Sequence, residues 1–222
     1  MDIKEKIIQL AAKYKNDIID LRRTIHNNPE IAFNEFETTN LVYGKFKNKG
    51  FNKVSKITKT GLYALLTGNK GKCVALRADI DALPIQENTG LKFSSKNPGI
   101  MHACGHDVHT AMLYGTALIL KELKSELKGS VKFIFQPAEE KNPGGASILI
   151  KNGILINPNV DAIFGQHLLP GKTAGKVGFY PGVMMASQDE LFITIIGKAG
   201  HGAKPHSTID PIVIASQVIL TL

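Results

Sequence analysis

Apolar residues fall three and four positions apart at the start of the chain: Ile7, Leu10, Ala11, Tyr14, Ile18, Leu21 and Ile25. That spacing lines one face of a helix, and it predicts an amphipathic helix from Asp2 to about Asn27, closed by Asn28-Pro29. A second helix is expected over residues 37–49, with Gly50 as its stop. The period then shortens. Residues 62–66 and 73–77 are compact apolar runs that predict strands joined by a turn at Gly68-Asn69-Lys70-Gly71. A helix over 107–124, a strand over 131–135, a short helix over 146–151 and a strand over 160–165 follow. Strands alternating with helices imply parallel crossovers, hence an α/β fold with a mixed, mainly parallel sheet flanked by helices.

The character changes near Pro181-Gly182. Residues 190–196 alternate strictly and predict a long strand; a glycine-rich loop comes next, then Asp210-Pro211 as N-cap and first position of a last helix. Two domains are expected, 1–182 and 183–222.

Chemistry concentrates in residues 101–110, MHACGHDVHT, which hold His102, His106, His109, Cys104 and Asp107. Thiolate, imidazole and carboxylate are the side-chain ligands a borderline divalent ion accepts. Residues 135–140, FQPAEE, add the adjacent carboxylates Glu139 and Glu140. One of such a pair can bind metal while the other moves a proton, the division of labour in metal-assisted hydrolysis. Asp79 and Asp81 directly follow a strand, and His167, His201 and His206 stand beside glycine or proline in expected loops. Most candidates thus fall beyond a strand's C-terminal end or at a helix N-terminus, where open α/β sheets place their sites. A closed structural zinc site fits poorly, because free adjacent glutamates are foreign to it.

Composition narrows the class. With 222 residues, 43% of them hydrophobic, the chain can bury a real core. The net charge of +8 raises the question of nucleic acid, but Arg22, Arg23 and Arg77 are the only arginines and the lysines are dispersed without aromatic interleaving. A solvated lysine surface that collects anionic small substrates is the expectation, not a nucleic-acid partner. Two cysteines build no disulfide framework; Cys73 lies in an apolar run and Cys104 is an unpaired thiol beside histidines, which suits a reducing, cytoplasmic setting. MDIKEKIIQL has no signal-peptide apolar region and PIVIASQVILTL is too short to span a bilayer, so no membrane role is expected.

Six segments occur in an order that resembles the aminoacylase and carboxypeptidase superfamily of dinuclear metallohydrolases: RRTIHNNPEIAFNEFET (22–38), RADIDALPI (77–85), MHACGHDVHT (101–110), FQPAEE (135–140), GQHLLP (165–170) and GKAGHGAKPH (197–206). The likeness is to its amidohydrolase branch, with hippurate hydrolases, auxin-conjugate hydrolases and N-acetyldiaminopimelate deacetylases. The resemblance implies two divalent ions (Zn, Mn, Co or Ni) held by Cys104, His106, Glu140 and His167, with Cys104 in the bridging position. It implies Glu139 as general base for a metal-activated water and Asp81, or else Asp79, as the carboxylate orienting a ligand. His201 would donate to the oxyanion or the substrate carboxylate, with His206 and His109 on the substrate as well, and His26 would be structural at a helix end. Cys104 should resist alkylation with metal bound and react readily after chelation. The expected substrate is an N-acyl amino acid or related small amide; the alternatives are carboxypeptidase action on short peptides, or an inactive fragment serving as a metal-binding or interaction module. The resemblance further implies that residues 183–222 begin a lid and dimerisation domain of a homodimer, and that a further histidine ligand belongs to a C-terminal segment. The chain is accordingly expected to be the N-terminal part of such an enzyme, oligomeric or aggregation-prone and hydrolytically silent alone.

Overall fold

The computed structural model describes residues 2–187 and 189–222. It divides into two compact units, Met1–Gly171 and Lys172–Leu222. The boundary expected at 182–183 lies inside the second of these.

In the first unit, α1 (Ile3–Asn27), α2 (Phe36–Asn48), β1 (Lys53–Lys56), β2 (Leu62–Thr67), β3 (Cys73–Asp79), α3 (His106–Glu122), β4 (Ser130–Gln136), α4 (Gly145–Lys151) and β5 (Ala162–Gly165) follow in order. The five strands form one sheet in the order β1-β2-β4-β3-β5. β3 pairs parallel with both β4 and β5, while β2 runs antiparallel to β4 and to β1. The segments expected as strands joined by a turn are therefore not neighbours. β4 lies between them, and the Gly68–Asn69 turn passes over its start through bonds from Gly68 N–H to Gly129 O and Asn69 N–H to Leu127 O, both 2.9 Å.

Alternation along β4 splits the core in two. Phe133 and Phe135 face the helices with Leu62, Ala64, Leu21, Ile25, Val42 and Phe46; Ile134 faces the other way with Ala75, Leu149 and Ile154. Phe46 is the aromatic centre of the first layer, edge-on to Phe51, Tyr114 and Phe135 at centroid distances of 4.8, 5.3 and 5.5 Å. Lys132 points to the opposite layer and is 1% exposed. Its ammonium donates to the carbonyls of Ile154, Ile156 and Pro158 at 2.8, 3.0 and 3.2 Å, so its three protons tie the segment after α4 to the sheet.

The second unit carries a 3₁₀ turn, Pro205–Ser207, and α5 (Pro211–Thr221). Asp210 caps α5 as expected, accepting from Ile212 N–H at 2.9 Å with Pro211 in the first turn. The long strand expected over 190–196 does not form; the nearest pairing is the single bridge Lys198↔Ile209. Alternation makes a strand only where another strand takes up its backbone groups, and among the described residues none lies alongside. No helix of the described residues is long and apolar enough to cross a membrane.

Candidate metal centre

The C-terminal ends of the three parallel strands deliver the chemistry. β3 ends at Asp79, with Asp81 just beyond; β4 leads through Pro137-Ala138 to Glu139 and Glu140; β5 leads to His167. The N-terminus of α3 supplies His106, and Cys104 stands in the loop before it. Donor atoms of Cys104, His106 and His167 lie within 4.8 Å of one another, and so do those of His106, Glu139 and Glu140. His106 is common to both groups.

Hydrogen-bond polarity fixes how the two histidines present themselves. His106 Nδ1 lies 2.9 Å from the backbone oxygen of Asp81 and 3.2 Å from its Oδ1. Both partners only accept, so Nδ1 carries a proton, and it is the Nε2 lone pair that the neutral ring offers. That Nε2 is buried without a hydrogen-bond partner, 3.7 Å from Glu140 Oε1 and 3.7 Å from Asp79 Oδ2. His167 repeats the arrangement: Nδ1 donates to Leu168 O at 2.6 Å, and Nε2 lies 3.3 Å from Cys104 Sγ. Two imidazole lone pairs, a thiol and two carboxylates therefore converge, each histidine held through its far nitrogen as metal-binding histidines are. The set fits a divalent ion.

Electrostatics agree with this. Burial works against charge on His106, yet Asp81, Asp79 and Glu140 raise its pKa above the ordinary value. Burial and the Glu140 carboxylate push the Cys104 thiol up to about 12. Glu139, an exposed side chain, is raised by its partial burial and by Glu140. These groups destabilise one another's negative charge, and a cation relieves all of them at once; a thiolate ligand then forms only with loss of a proton.

The supports come from further away. Asp81, 1% exposed, accepts Glu140 N–H on Oδ2 at 3.0 Å while holding His106 with its other oxygens. Glu35, 0% exposed, accepts Ala138 N–H at 2.7 Å, immediately before Glu139. Ala138 has φ +48°, and its carbonyl takes Gly145 N–H at 2.8 Å. A Cβ on Gly145 would lie 1.8 Å from Pro137 O, so only glycine lets α4 begin this close to the glutamate turn.

Of the remaining expected residues, Asp79 is 1% exposed and bound by Arg77 at 2.7 Å and His109 at 2.6 Å. Burial alone would raise its pKa; His109 and Arg77 override that and hold it at about 2. His109, expected on the substrate, is 0% exposed with both ring nitrogens engaged, so it faces the protein interior instead. His201 and His206 are exposed residues of the second unit, and His201 Nδ1 accepts Ala203 N–H at 3.1 Å.

His26, set aside at a helix end by the sequence, belongs to a buried network behind the site. Its Nδ1 contacts Asp107 Oδ2 at 2.8 Å and its Nε2 contacts Glu87 Oε1 at 3.2 Å, while Arg22 pairs with Asp107 at 2.7 Å. Asp107, with Glu87 adding to it, raises the His26 pKa, and the imidazolium ties α1 to the first turn of α3. His102 lies within the same region, 4% exposed, and burial holds it neutral, at about 4.

Comparison with known proteins gives a consistent set. Residues 75–219 match the family described as Peptidase family M20/M25/M40. The chain is 48% identical over 220 residues to an N-acyl-L-amino acid amidohydrolase of Geobacillus stearothermophilus, covering 99% of this chain and 59% of that protein. It is 42% identical over 221 residues to thermostable carboxypeptidase 2 of Saccharolobus solfataricus, covering 98% and 56% respectively. Among solved structures it resembles the Bacillus subtilis YXEP protein, described as a dinuclear metal binding peptidase, with TM-score 0.68 and 45% identity over 72% of this chain and 44% of that one. The chain spans little more than half the length of the curated relatives it matches.

Proposed function

The chain belongs to peptidase family M20/M25/M40, and on that premise we propose that it is the metal-binding part of a hydrolase that cleaves the amide bond of N-acyl amino acids. Two divalent ions are its proposed cofactor, with Cys104, His106, Glu140 and His167 as ligands from this chain. The observation that carries the reading is the convergence of two histidine Nε2 lone pairs on Cys104 Sγ and the Glu139–Glu140 pair. Zn, Mn, Co and Ni all accept this mixed donor set.

When bound, the ions supply Lewis-acid charge that polarises the scissile carbonyl and acidifies water. Glu139 takes the proton of the attacking water and returns it to the leaving amine. Asp81 keeps His106 and the Glu140 backbone in register, and Asp79 with Arg77 sets the charge beneath them. His201 and His206 are proposed as substrate-facing donors. A homodimer is proposed from the exposed apolar series Phe179, Val183, Met184, Met185, Phe192 and Ile196 in the second unit. The free thiols of Cys73 and Cys104 favour a reducing, cytoplasmic location.

The test is Glu139→Gln in a full-length context, assayed on a panel of N-acetyl and N-benzoyl amino acids and short peptides with metal content measured in parallel. Turnover should fall by about 10²-fold or more with unchanged metal content. Activity within about tenfold of the parent overturns the role of Glu139, and faster turnover of peptides than of N-acyl amino acids moves the substrate to the carboxypeptidase class.

A further inference from the structure

We propose that His109 is a positioning residue: as a neutral ring protonated at Nδ1, it latches the loop that carries His167 onto α3. The functional weight of this latch rests on the reading of His167 as a metal ligand; the latch itself does not.

The polarity of each bond fixes the state of the ring. Leu168 N–H points at His109 Nε2 at 3.0 Å, and a backbone amide can only donate, so Nε2 bears no proton. The proton is then on Nδ1, which donates to Asp79 Oδ1 at 2.6 Å. Asp79 cannot swing away, because its other oxygen is held by Arg77 Nη1 at 2.7 Å and its backbone carbonyl by Thr110 Oγ1 at 3.0 Å. Arg77 Nε in turn donates to Gln136 Oε1 at 2.9 Å. One continuous chain of hydrogen bonds therefore runs from β4 through β3 and α3 to the Leu168 amide, 59 residues beyond His109 in the sequence.

The loop has little else to hold it. β5 ends at Gly165, and among the described residues Gln166 reaches the thioether of Met112, at 3.3 Å. The second fixed contact is steric: Gly105 has φ +83°, and a Cβ there would stand 2.8 Å from Leu168 Cδ1, so the leucine seats directly on glycine backbone. With Leu168 pinned from both sides, the His167 ring lies 4.8 Å from that of His109 and its Nε2 meets Cys104 Sγ at 3.3 Å. The same geometry excludes His109 as a ligand alongside Asp79 and His106. An ion there would need the Nδ1 lone pair, and Leu168 N–H leaves the proton no other nitrogen.

The tautomer is read on the unaltered, metal-free protein from the ¹⁵N shifts of the His109 ring: Nδ1 should appear protonated and Nε2 bare, and the reverse, or a doubly protonated ring at neutral pH, overturns the proposal. Two variants then separate the two ends of the latch. In His109→Gln the amide oxygen reaches the Nε2 position and still accepts from Leu168; in His109→Asn the side chain reaches only Asp79. Hydrogen exchange of the Leu168 amide should speed up by about tenfold or more in the asparagine variant and stay near the parent rate in the glutamine variant. Equal exchange in all three proteins overturns the latch. Cobalt affinity should fall by about 10–100-fold in His109→Asn and recover with glutamine. Lost Leu168 protection with unchanged cobalt affinity leaves the latch standing and removes His167 from the ligand set, so the two claims fail separately.

Discussion

Asp81→Asn isolates the carboxylate that holds two parts of the site at once. Its partners are both donors: Glu140 N–H at 3.0 Å and His106 Nδ1 at 3.2 Å. An aspartate accepts from both, whereas an asparagine of the same shape has one acceptor and one NH₂. Whichever way the amide turns, a donor faces a donor. His106 retains the Asp81 backbone oxygen at 2.9 Å, so the better orientation gives the amide oxygen to Glu140 and the NH₂ to the imidazole. One charge-assisted bond becomes neutral, losing about 1 kcal/mol, and a second is lost in a 1% exposed setting for about 1–2 kcal/mol more. The expected total is about 2–3 kcal/mol, or roughly 4–12 °C in Tm for a chain of this size. Because His106 and Glu140 are both displaced, metal affinity should fall by about 10–100-fold. Thermal unfolding of the metal-free protein and cobalt titration measure the two effects independently. A Tm shift below roughly 2 °C with affinity within about threefold would refute the bracing role.

Two further predictions use the shifted groups. Burial raises the Glu35 pKa above 4.5, so its contribution to stability is present below that value and is lost as pH rises through the raised one. Glu35→Gln keeps an acceptor for Ala138 and never ionises, so its urea midpoint should gain on the parent between about pH 4 and pH 8; a parent that gains on the variant contradicts this. Cys104, expected from sequence to alkylate readily after chelation, should react slowly with iodoacetamide in the metal-free protein because its thiol is held at about 12. Glu140→Gln should accelerate that labelling as read by mass spectrometry, and an unchanged rate would show that Glu140 does not set the thiol.

Periodicity revealed the helices and most strands because burial of one face repeats at the period of the element. It missed β1, where KVSK buries only Val54, and it carried no information on which strands pair, so β4 between β2 and β3 was invisible. Residues 190–196 show the converse, an alternating pattern without a partner. The proposed ligand cluster was legible because its chemistry is packed into three short motifs at element ends. Asp81 was expected among the supports, but the long-range ones were not legible: His26 meets Asp107 across 81 residues, and Glu35 meets Ala138 across 103. His109 shares a helix face with His106, and spacing alone does not say that one turns its free nitrogen to the site and the other spends both on the scaffold.

The central claim is that this chain holds a divalent ion through Cys104 together with His106, Glu140 and His167. Cobalt(II) titration of the protein, followed by near-ultraviolet absorption, tests it most directly, because a thiolate bound to cobalt gives a charge-transfer band that imidazole and carboxylate ligands do not. The account predicts a saturable band accompanied by proton release, absent in Cys104→Ser and weakened in Glu140→Ala. Cobalt binding without that band, or with the same affinity in Cys104→Ser, would contradict it.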